Sequence, residues 1–309
     1  PRAGNRADWG GPGPSATMTL MHDFAGRIAV VTGGGSGMGR ELVRQLAAAG
    51  CHVAMCDVVA DALAETVAEV RAESPDVRVS GHRCDVGEPA DITRFRDEVL
   101  AEHVTDHVHL LFNNAGISGG GSFLLESREA WERTFAVTWG GVYECTRAFL
   151  PLLVAADAGH IVNTSSVNGF WAMIGDRPHT AYSTAKFAVK GFTEALITDL
   201  RVNAPHVKAS VVMPGHIGTS IVENSLTIGV HDATDEERQF HMAMSHHFRD
   251  SAPTTAAEAA TVILDGVKAD RWRILIGDDA LRLDERVRAD PESAYDGALF
   301  EEIFETGDP

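Results

Sequence analysis

The stretch that decides the fold is Val30-Val-Thr-Gly-Gly-Gly-Ser-Gly-Met-Gly39, which overlaps the end of the apolar run Ile28–Thr32. An apolar run without polar alternation predicts a strand buried on both faces of a sheet. The glycines at 33, 37 and 39 let the chain turn tightly into a helix, and they let its backbone approach a pyrophosphate. The N-terminus of that helix would attract the phosphate charge. The stretch therefore predicts a strand–turn–helix unit that binds a dinucleotide.

Short β-branched runs alternate with longer amphipathic segments along most of the chain. The predicted strands are Ile28–Thr32, His52–Asp57, Val77–Cys84, His109–Asn113, His160–Thr164, Lys208–Met213 and Arg273–Ile276. The predicted helices span about 37–49, 61–73, 88–103, 128–155, 180–203 and 254–269. Strands that alternate with helices of this length indicate crossover connections, which place helices on both faces of a parallel sheet. The predicted fold class is therefore α/β, with one doubly wound parallel sheet.

Three segments fall outside this alternation. Residues 1–20 are rich in Gly, Pro and Ala, which predicts a flexible leader outside the fold. Residues 219–253 are polar and rich in Met and His, and we expect them to form a helical lid over the carboxyl edge of the sheet. Residues 278–309 are acidic, which predicts a surface tail, although their last apolar residues could dock one helical turn onto a neighbouring surface. The predicted domain is thus 21–277.

The composition excludes several classes of protein. The 309 residues carry 26 Lys and Arg against 44 Asp and Glu, a formal net charge of −18. A negative chain without a Lys/Arg run repels nucleic-acid phosphates, and no uninterrupted apolar stretch has the roughly 18 residues of a membrane span. The four cysteines lie in apolar runs without paired spacing, which favours a reduced, cytoplasmic protein over a disulfide framework. The lid histidines lack zinc-type spacing, so no metal is predicted.

Acidic and small residues follow the next three predicted strands. Asp57 ends the second strand, where a carboxylate accepts hydrogen bonds from ribose hydroxyls and repels a 2′-phosphate. Neither Lys nor Arg follows it, so NAD is the predicted cofactor rather than NADP. Asp85 and Val86 follow the third strand, and this carboxylate could reach the adenine amino group. Asn113-Asn-Ala-Gly116 closes the fourth strand, with small residues that leave room for the ribose, although such a run also occurs in ordinary turns.

Tyr182-Ser-Thr-Ala-Lys186 opens a long predicted helix, so the phenol and the ammonium lie on one helical face. A phenol has an unperturbed pKa of about 10. The ammonium, together with a positive nicotinamide ring, would favour the phenolate and make Tyr182 a general acid/base for an alcohol/ketone pair. Ser166, after the fifth strand, is placed to bind the substrate oxygen. A Tyr-x-x-x-Lys pair alone occurs often on surfaces, and its position downstream of the glycine turn gives it meaning.

These motifs together resemble the classical short-chain dehydrogenase/reductase family over about residues 22–277. The resemblance implies a single Rossmann-type domain, a nicotinamide cofactor and a small alcohol or ketone substrate. It further implies a homotetramer or dimer packed through helices 128–155 and 180–203. The catalytic residues it implies are Ser166, Tyr182 and Lys186. The cofactor-binding residues it implies are Gly33, Ser36, Gly37, Met38, Gly39, Asp57, Asp85, Val86, Asn114, Ala115, Gly116, Tyr182, Lys186, Pro214, Gly215, Ile217 and Thr219, with Ile217 and Thr219 at the nicotinamide carboxamide.

The sequence departs from the family pattern at two places. Thr138 stands where the family usually has an Asn that supports a proton relay to the lysine, and its hydroxyl has a shorter reach. The interval between Ser166 and Tyr182 is a few residues longer than usual, so the loop Phe170–His179 is extended. A loop insertion is tolerated when its ends stay fixed. We therefore expect the serine, tyrosine and lysine to meet, but without the usual relay.

Apolar side chains in two segments suggest the substrate class. Phe170, Trp171, Met173 and Ile174 would line one wall, with core packing as the alternative, and Leu226, Ile228, Phe240, Met242 and Met244 would line the lid. The predicted function is thus an NAD-dependent oxidoreductase for a mostly apolar secondary alcohol and its ketone. One alternative is a catalytically impaired NAD-binding regulatory or scaffold protein of the same fold. Another keeps the fold but catalyses epimerisation or dehydration.

Overall fold

The computed structural model describes residues 21, 23–173, 178–228, 235–295 and 299. The predicted leader 1–20 and Ile174 lie outside these residues. In the predicted lid, the side chains of Leu226, Ile228, Phe240, His241 and Met244 also lie outside the description.

Seven parallel strands form the central sheet, as the sequence predicts. They are β1 (Ile28–Thr32), β2 (His52–Asp57), β3 (Val79–Arg83), β4 (Leu110–Asn113), β5 (Gly159–Thr164), β6 (Val207–Pro214) and β9 (Arg273–Ile276), in the order β3-β2-β1-β4-β5-β6-β9. The strand order reverses between β1 and β4, where Ala29 pairs with Leu110. In open sheets of this kind, ligands bind outside the carboxyl ends of the strands at that reversal. The fold is therefore a single doubly wound, Rossmann-type sheet.

Helices cover both faces of the sheet. Those before the insertion are α1 (Gly37–Ala48), α2 (Ala60–Glu73), α3 (Pro89–His103), α4 (Arg128–Phe135), α5 (Gly141–Ala155) and α6 (Thr180–Asn203). Those that follow are α7 (Ile221–Ile228), α8 (Asp235–Asp250), α9 (Ala256–Lys268) and α10 (Asp278–Ala289), with the two-residue strands β7 (Ile217–Gly218) and β8 (Thr254–Thr255) paired beside them. The predicted strand and helix bounds agree with these to within about two residues.

Alternate residues of β1 enter two different cores, because successive side chains of a strand point to opposite faces. Val31 packs in one core with Leu42 of α1 and Ile263 of α9. Val30 packs in the other core with Phe149 of α5 and helices α3 and α6. All five residues of β1 are buried, so the strand is anchored from both sides. This rigid anchor fixes the position of the glycine turn that follows it.

The single helix predicted over 128–155 is interrupted in the structure. A π-helical turn at Ala136–Gly140 separates α4 from α5. Thr138 lies at the centre of that turn, fully buried. Single π-helical turns inside helices are rare and are often found at functional sites. The periodicity of apolar residues in the sequence does not reveal this turn.

The C-terminal residues differ from a surface tail over the part that the structure describes. Residues 278–289 form α10, and Ala280 and Leu283 of this helix are completely buried. They pack with Val167 and Trp171, which follow β5. The two apolar positions lie three residues apart on one face of an otherwise charged helix. A narrow apolar stripe of this kind is enough to dock the helix onto the sheet edge.

Candidate active site

The glycine turn joins β1 to α1 with little space for side chains. A Cβ atom at Gly39, in the first turn of α1, would overlap the carbonyl oxygen of Gly33. Ser36 precedes the helix, and its side chain makes no capping hydrogen bond to it. The first N–H groups of a helix have no partner within it, so those of α1 remain available for an anion. The turn is thus shaped for close approach of a phosphate group.

Asp57 at the end of β2 lies beside the glycine turn. Its Oδ2 accepts a hydrogen bond from the Gly35 N–H at 2.9 Å, and its Oδ1 accepts one from the Val59 N–H at 3.0 Å. A Cβ atom at Gly35 would come within 2.9 Å of the carboxylate. These contacts hold the carboxylate at the pocket edge where the sequence places the adenosine ribose.

One pocket runs along the carboxyl ends of β1 to β4 and contains most of the predicted cofactor-binding residues. Those on its wall are Gly33, Ser36, Gly37, Met38, Asp57, Asp85, Val86, Asn114, Ala115, Gly116 and Thr219. Gly39, Pro214, Gly215, Ile217, Tyr182 and Lys186 do not line it. Gly39 lies under the glycine turn, and Ile217 is buried in the core beside β8. Lys186 lies behind Gly116: its Nζ is 3.5 Å from the position that a Cβ atom on Gly116 would occupy. The sequence did not identify Val58, Arg133, Val137, Ser220, Ile221 and Asn224, which also line the pocket.

Asp85 is paired with a cation that the sequence analysis missed. The Arg133 guanidinium donates to Asp85 Oδ2 at 2.7 Å and to Oδ1 at 3.1 Å, and the Gly87 N–H donates to Oδ1 at 2.9 Å. A bidentate pair of this kind fixes the plane of the carboxylate. Any contact from Asp85 to adenine must therefore use the lone pairs that Arg133 leaves free. No local pattern could reveal this pair, since Arg133 lies in α4, far along the chain from Asp85.

The carboxyl ends of β1, β4 and β5 are tied together by side chains. Asn113 donates from Nδ2 to Asn163 Oδ1 on β5 at 2.8 Å, which ties β4 to β5. Thr32 Oγ1 accepts from the Asn114 and Ala115 N–H groups at 3.0 Å each. Buried polar groups satisfied in this way specify one arrangement of the strand ends. The floor of the pocket is therefore rigid.

Ser166, Tyr182 and Lys186 come together at the inner end of this edge. Tyr182 and Ser166 lie close enough for their side chains to interact, because Ser166 acts to lower the pKa of the phenol. Lys186 lies one helical turn after the tyrosine, with Nζ 5.5 Å from the centroid of the Tyr182 ring. Its ammonium donates to the Thr164 carbonyl at the end of β5, at 2.8 Å. The longer loop before α6 has thus not separated the three side chains.

Burial controls the charge of both titratable groups in this trio. It raises the pKa of the Tyr182 phenol to about 12, while the hydrogen bond with Ser166 acts in the lowering direction. It lowers the pKa of the Lys186 ammonium to about 7. Each charged form loses hydration in the interior, which explains both directions. The protein's own groups therefore do not produce the lowered tyrosine pKa expected from the sequence, because the effect of desolvation exceeds that of Ser166.

Thr138 makes two hydrogen bonds to a single residue after β4. Its Oγ1 donates to the Ile117 carbonyl at 3.0 Å and accepts from the Ile117 N–H at 3.2 Å. Ile117 directly follows Gly116, against which Lys186 lies. The hydroxyl therefore holds the pocket wall in front of the lysine, and the π-helical turn brings it into reach. From the sequence alone, Thr138 is recognisable only as a departure from the family pattern.

The lid makes specific contacts with both sides of the pocket. Asn224 of α7 donates from Nδ2 to Ser36 Oγ on the glycine turn at 3.1 Å, and Ser225 Oγ accepts from the Ser118 N–H at 2.7 Å. The helix thus spans from the turn after β1 to the loop after β4. The expected helical insertion over the carboxyl edge is present, with α7 and α8 inside residues 219–253. Met242, expected to face the substrate, is exposed.

The loop after Ser166 packs mainly into the protein. Trp171 is only 1% exposed and lies in a core cluster with Ala280, Leu283 and Ala294. Core packing, the alternative for this loop, therefore applies to Trp171. Phe170 and Met173 pack against the same cluster but remain partly exposed. The substrate wall expected from four apolar side chains is thus reduced to these two among the described residues.

The donors and acceptors around the pocket fit a nicotinamide dinucleotide. The free N–H groups at the start of α1 suit a pyrophosphate, and the Asp57 carboxylate suits a ribose diol.

The four cysteines are buried and none forms a disulfide. Among the described helices, none combines the length and the apolar character that a membrane crossing requires.

Known proteins resemble this chain over most of its length. The family model for short chain dehydrogenases matches residues 27–227. SadH of Mycobacterium tuberculosis is 36% identical over 264 residues, which cover 85% of this chain and 91% of SadH.

Two solved structures share the fold and were determined with different cofactors. A short-chain dehydrogenase/reductase from Burkholderia phymatum in complex with NAD has a TM-score of 0.77 and 32% identity, with 86% of this chain and 95% of that chain covered. A metagenomic short-chain oxidoreductase in complex with NADP has a TM-score of 0.61 and 25% identity, with 82% and 97% covered. With the pocket and the sheet order described above, these matches show that the chain is an oxidoreductase that belongs to the classical short-chain dehydrogenase/reductase family.

Proposed function

We propose that the protein is an NAD-dependent oxidoreductase that interconverts a mostly apolar secondary alcohol and its ketone. The observation that carries this proposal is the contact between Ser166 and Tyr182, with Lys186 one turn further along α6. A phenol, a hydroxyl and an ammonium that meet beside a dinucleotide-type pocket suit proton transfer at an alcohol oxygen.

NAD is the proposed cofactor because of the carboxylate at the end of β2. Asp57 would accept hydrogen bonds from both ribose hydroxyls and would repel a 2′-phosphate. The pocket wall residues Gly33, Ser36, Gly37 and Met38 would meet the pyrophosphate, with Gly39 beneath them. Asp85 and Val86 would surround adenine, and Asn114, Ala115 and Gly116 the ribose. Pro214, Gly215, Ile217 and Thr219 would place the carboxamide end.

The chemistry divides simply between cofactor and protein. Nicotinamide, when bound, would accept the hydride in its oxidised form and supply it in its reduced form, and the oxidised form would add a positive charge beside the phenol. Ser166 orients the substrate oxygen, and Tyr182 Oη takes the proton during oxidation or returns it during reduction. Lys186, one helical turn after Tyr182, would bind the ribose and stabilise the phenolate. The added positive charge lowers the tyrosine pKa from about 12, so proton transfer follows cofactor binding.

The substrate class follows from the side chains near the trio. Phe170 and Met173 are partly exposed and apolar, and Met side chains adapt to varied shapes. Phe123, Leu124 and Leu125 project from the loop after β4, which is joined to the start of α6 by the Ala181 N–H. Transfer of an apolar alcohol from water to such surroundings would be favourable.

We also propose a homo-oligomer, a dimer or tetramer, packed through α5 and α6. Trp139 and Phe192 contact each other with ring centroids 5.4 Å apart, and the neighbouring Tyr143 and Phe187 are exposed. Aromatic surface of this kind is typical of protein interfaces. Light scattering after size exclusion gives the subunit number directly.

The reduced, buried cysteines suit a cytoplasmic location.

The test is a spectroscopic screen of cofactor and substrate. The purified protein is mixed with NAD or NADP and a panel of secondary alcohols of rising apolar size, and the reduced-nicotinamide absorbance is followed. The proposal predicts turnover with NAD, strongest for apolar alcohols. Tight NAD binding without turnover of any alcohol or ketone would favour a regulatory protein instead.

A further inference from the structure

A buried carboxylate of the C-terminal segment holds the turn that follows β6. Asp279 is only 5% exposed, although it belongs to the charged helix α10. Its Oδ2 accepts a hydrogen bond from the His216 N–H at 2.7 Å. His216 directly precedes Ile217, the residue proposed to contact the nicotinamide carboxamide. A single side chain therefore connects α10 to the part of the site that positions the reacting ring.

The backbone at Gly215 and Gly277 packs tightly around the Asp279 carboxylate. A Cβ atom at Gly215 would overlap the Asp279 carboxylate, and so would one at Gly277. Gly277 also has a φ of +95°, which L side chains rarely adopt. The Gly215 N–H donates to the Ile276 carbonyl at 2.9 Å, so the two loops are tied by backbone as well. Both loops are thus closed around Asp279.

The position of Asp279 in α10 favours its charge. It lies in the first turn of the helix, where the backbone N–H groups and the helix dipole stabilise an anion. Asp278 lies in the same turn but is exposed to solvent. The two carboxylates therefore share the effect of the helix terminus and differ in their burial and in the hydrogen bond to His216.

The same segment is attached to the loop after the proposed catalytic serine. The Trp171 Nε1–H donates to the Ala294 carbonyl at 2.6 Å, and the Ala172 N–H donates to Tyr295 Oη at 3.2 Å. Residues 278–295, hereafter the C-terminal brace, thus contact both active-site loops. One of these loops is proposed to hold the cofactor and the other to face the substrate.

We propose that Asp279 is a positioning residue for the nicotinamide end of the cofactor and that the C-terminal brace sets the geometry between this turn and the substrate loop. The proposal rests on the proposed NAD-dependent function. Asp279 acts through the His216 N–H, which orients the peptide group between Gly215 and His216, directly before Ile217. Trp171 acts separately, through the loop after Ser166.

The test compares Asp279→Ala with Asp278→Ala in the full chain. Both substitutions remove one negative charge from the first turn of α10, and only the first removes the hydrogen bond to His216. The dissociation constant for NAD is measured by calorimetry, together with kcat, KM and Tm. We expect Asp279→Ala to raise the NAD dissociation constant about tenfold and to lower kcat, because hydrogen bonds to charged groups contribute this much. Asp278→Ala should stay within about twofold of wild type.

Two further variants separate positioning from stability. Asp279→Asn keeps an acceptor oxygen of the same reach and should recover most NAD affinity. Asp279→Ser, whose hydroxyl is too short to reach the His216 N–H, should behave as Asp279→Ala and replaces it if that variant does not fold. Trp171→Phe should raise the KM for alcohol and leave NAD binding unchanged.

Different results would contradict the proposed role of Asp279 and the proposed function. If wild type binds neither NAD nor NADP, the proposed function is wrong, and the inference with it. If wild type binds NAD and turns over alcohol, but Asp279→Ala or Asp279→Ser matches Asp278→Ala in NAD affinity and kcat, Asp279 does not position the cofactor. A lower Tm alone would show a structural role and would equally overturn the inference.

Discussion

Lys186 Nζ lies 5.5 Å from the centroid of the Tyr182 ring, and both side chains are buried at the carboxyl edge of the sheet. Burial moves their pKa values apart, up from 10.0 to about 12 for the phenol and down from 10.5 to about 7 for the ammonium. At neutral pH the protein alone therefore holds a neutral phenol beside a lysine that is partly deprotonated. A positive charge bound nearby would favour the phenolate, which links proton transfer to cofactor binding.

The lowered pKa of Lys186 predicts a specific dependence of stability on pH. Between pH 7 and the unperturbed value of 10.5, the unfolded chain binds more protons at this site than the folded one. Stability from this group therefore rises with pH through that window, and the cost of burying the ammonium is greatest below it. We expect Lys186→Met to be most stable relative to wild type near pH 6.5 and to lose that advantage towards pH 9.

Urea unfolding of both proteins at several pH values measures this difference. Lys190→Met, on the next turn of α6, serves as the control, because Lys190 is only partly buried and pairs with Glu194. Its difference from wild type should not change with pH. A constant difference for Lys186→Met would contradict the lowered lysine pKa.

Asp57 should decide between the two nicotinamide cofactors. Asp57→Ala removes the acceptor for the ribose hydroxyls and also the repulsion of a 2′-phosphate. We expect NAD affinity to fall about 10- to 100-fold, the effect of losing hydrogen bonds to a charged group, while NADP affinity changes little. Calorimetric titration with each cofactor measures the ratio.

Asp61→Ala is the matched control for this change, because Asp61 is an exposed carboxylate in the first turn of α2. It should leave both affinities as in wild type. A wild-type protein that prefers NADP would show that the carboxylate has been assigned the wrong role.

Thr138 should matter through its hydroxyl. Thr138→Val keeps the shape but leaves the Ile117 N–H and carbonyl without their partner, which costs about 1–3 kcal/mol of stability. We expect kcat to fall about tenfold as well, because Ile117 and Gly116 form the wall in front of Lys186. Thr138→Ser should restore both, as measured by urea unfolding and steady-state kinetics.

A second buried threonine provides the comparison. Thr134 lies one turn earlier, and its hydroxyl donates to the Ala130 carbonyl of its own helix. Thr134→Val should therefore affect stability slightly and kcat not at all. Equal kcat values for Thr138→Val and wild type would show that the hydrogen bonds to Ile117 have no part in the reaction.

Local sequence patterns were sufficient to predict the sheet and the residues at the strand ends. The bounds of β1 and β2 agree with the prediction because unbroken apolar runs end at marked residues, the glycine turn and Asp57. The trio, with Ser166 after β5 and the other two residues in α6, also follows from its motif and its order in the chain. What the motif could not give is the sign of the tyrosine shift, since burial is a property of the folded protein.

Long-range partners account for what the sequence did not reveal. Thr138, in the π-helical turn, is hydrogen-bonded to Ile117 after β4, and Asp85 is paired with Arg133 in a later helix. The C-terminal brace was hidden because α10 is highly charged and shows only two fully buried apolar positions. Its carboxylate, Asp279, has no local neighbour that identifies it as buried.

The central claim is that the Tyr182 phenol exchanges the proton during hydride transfer. The most direct measurement is reduced-nicotinamide formation from the best alcohol by Tyr182→Phe, with Tyr143→Phe, an exposed tyrosine on α5, as the control. We expect kcat to fall about a thousandfold in Tyr182→Phe, within the range for lost acid–base catalysis, with NAD affinity and Tm nearly unchanged. Tyr143→Phe should retain full activity. A Tyr182→Phe protein that keeps more than about a tenth of the wild-type kcat would contradict the claim.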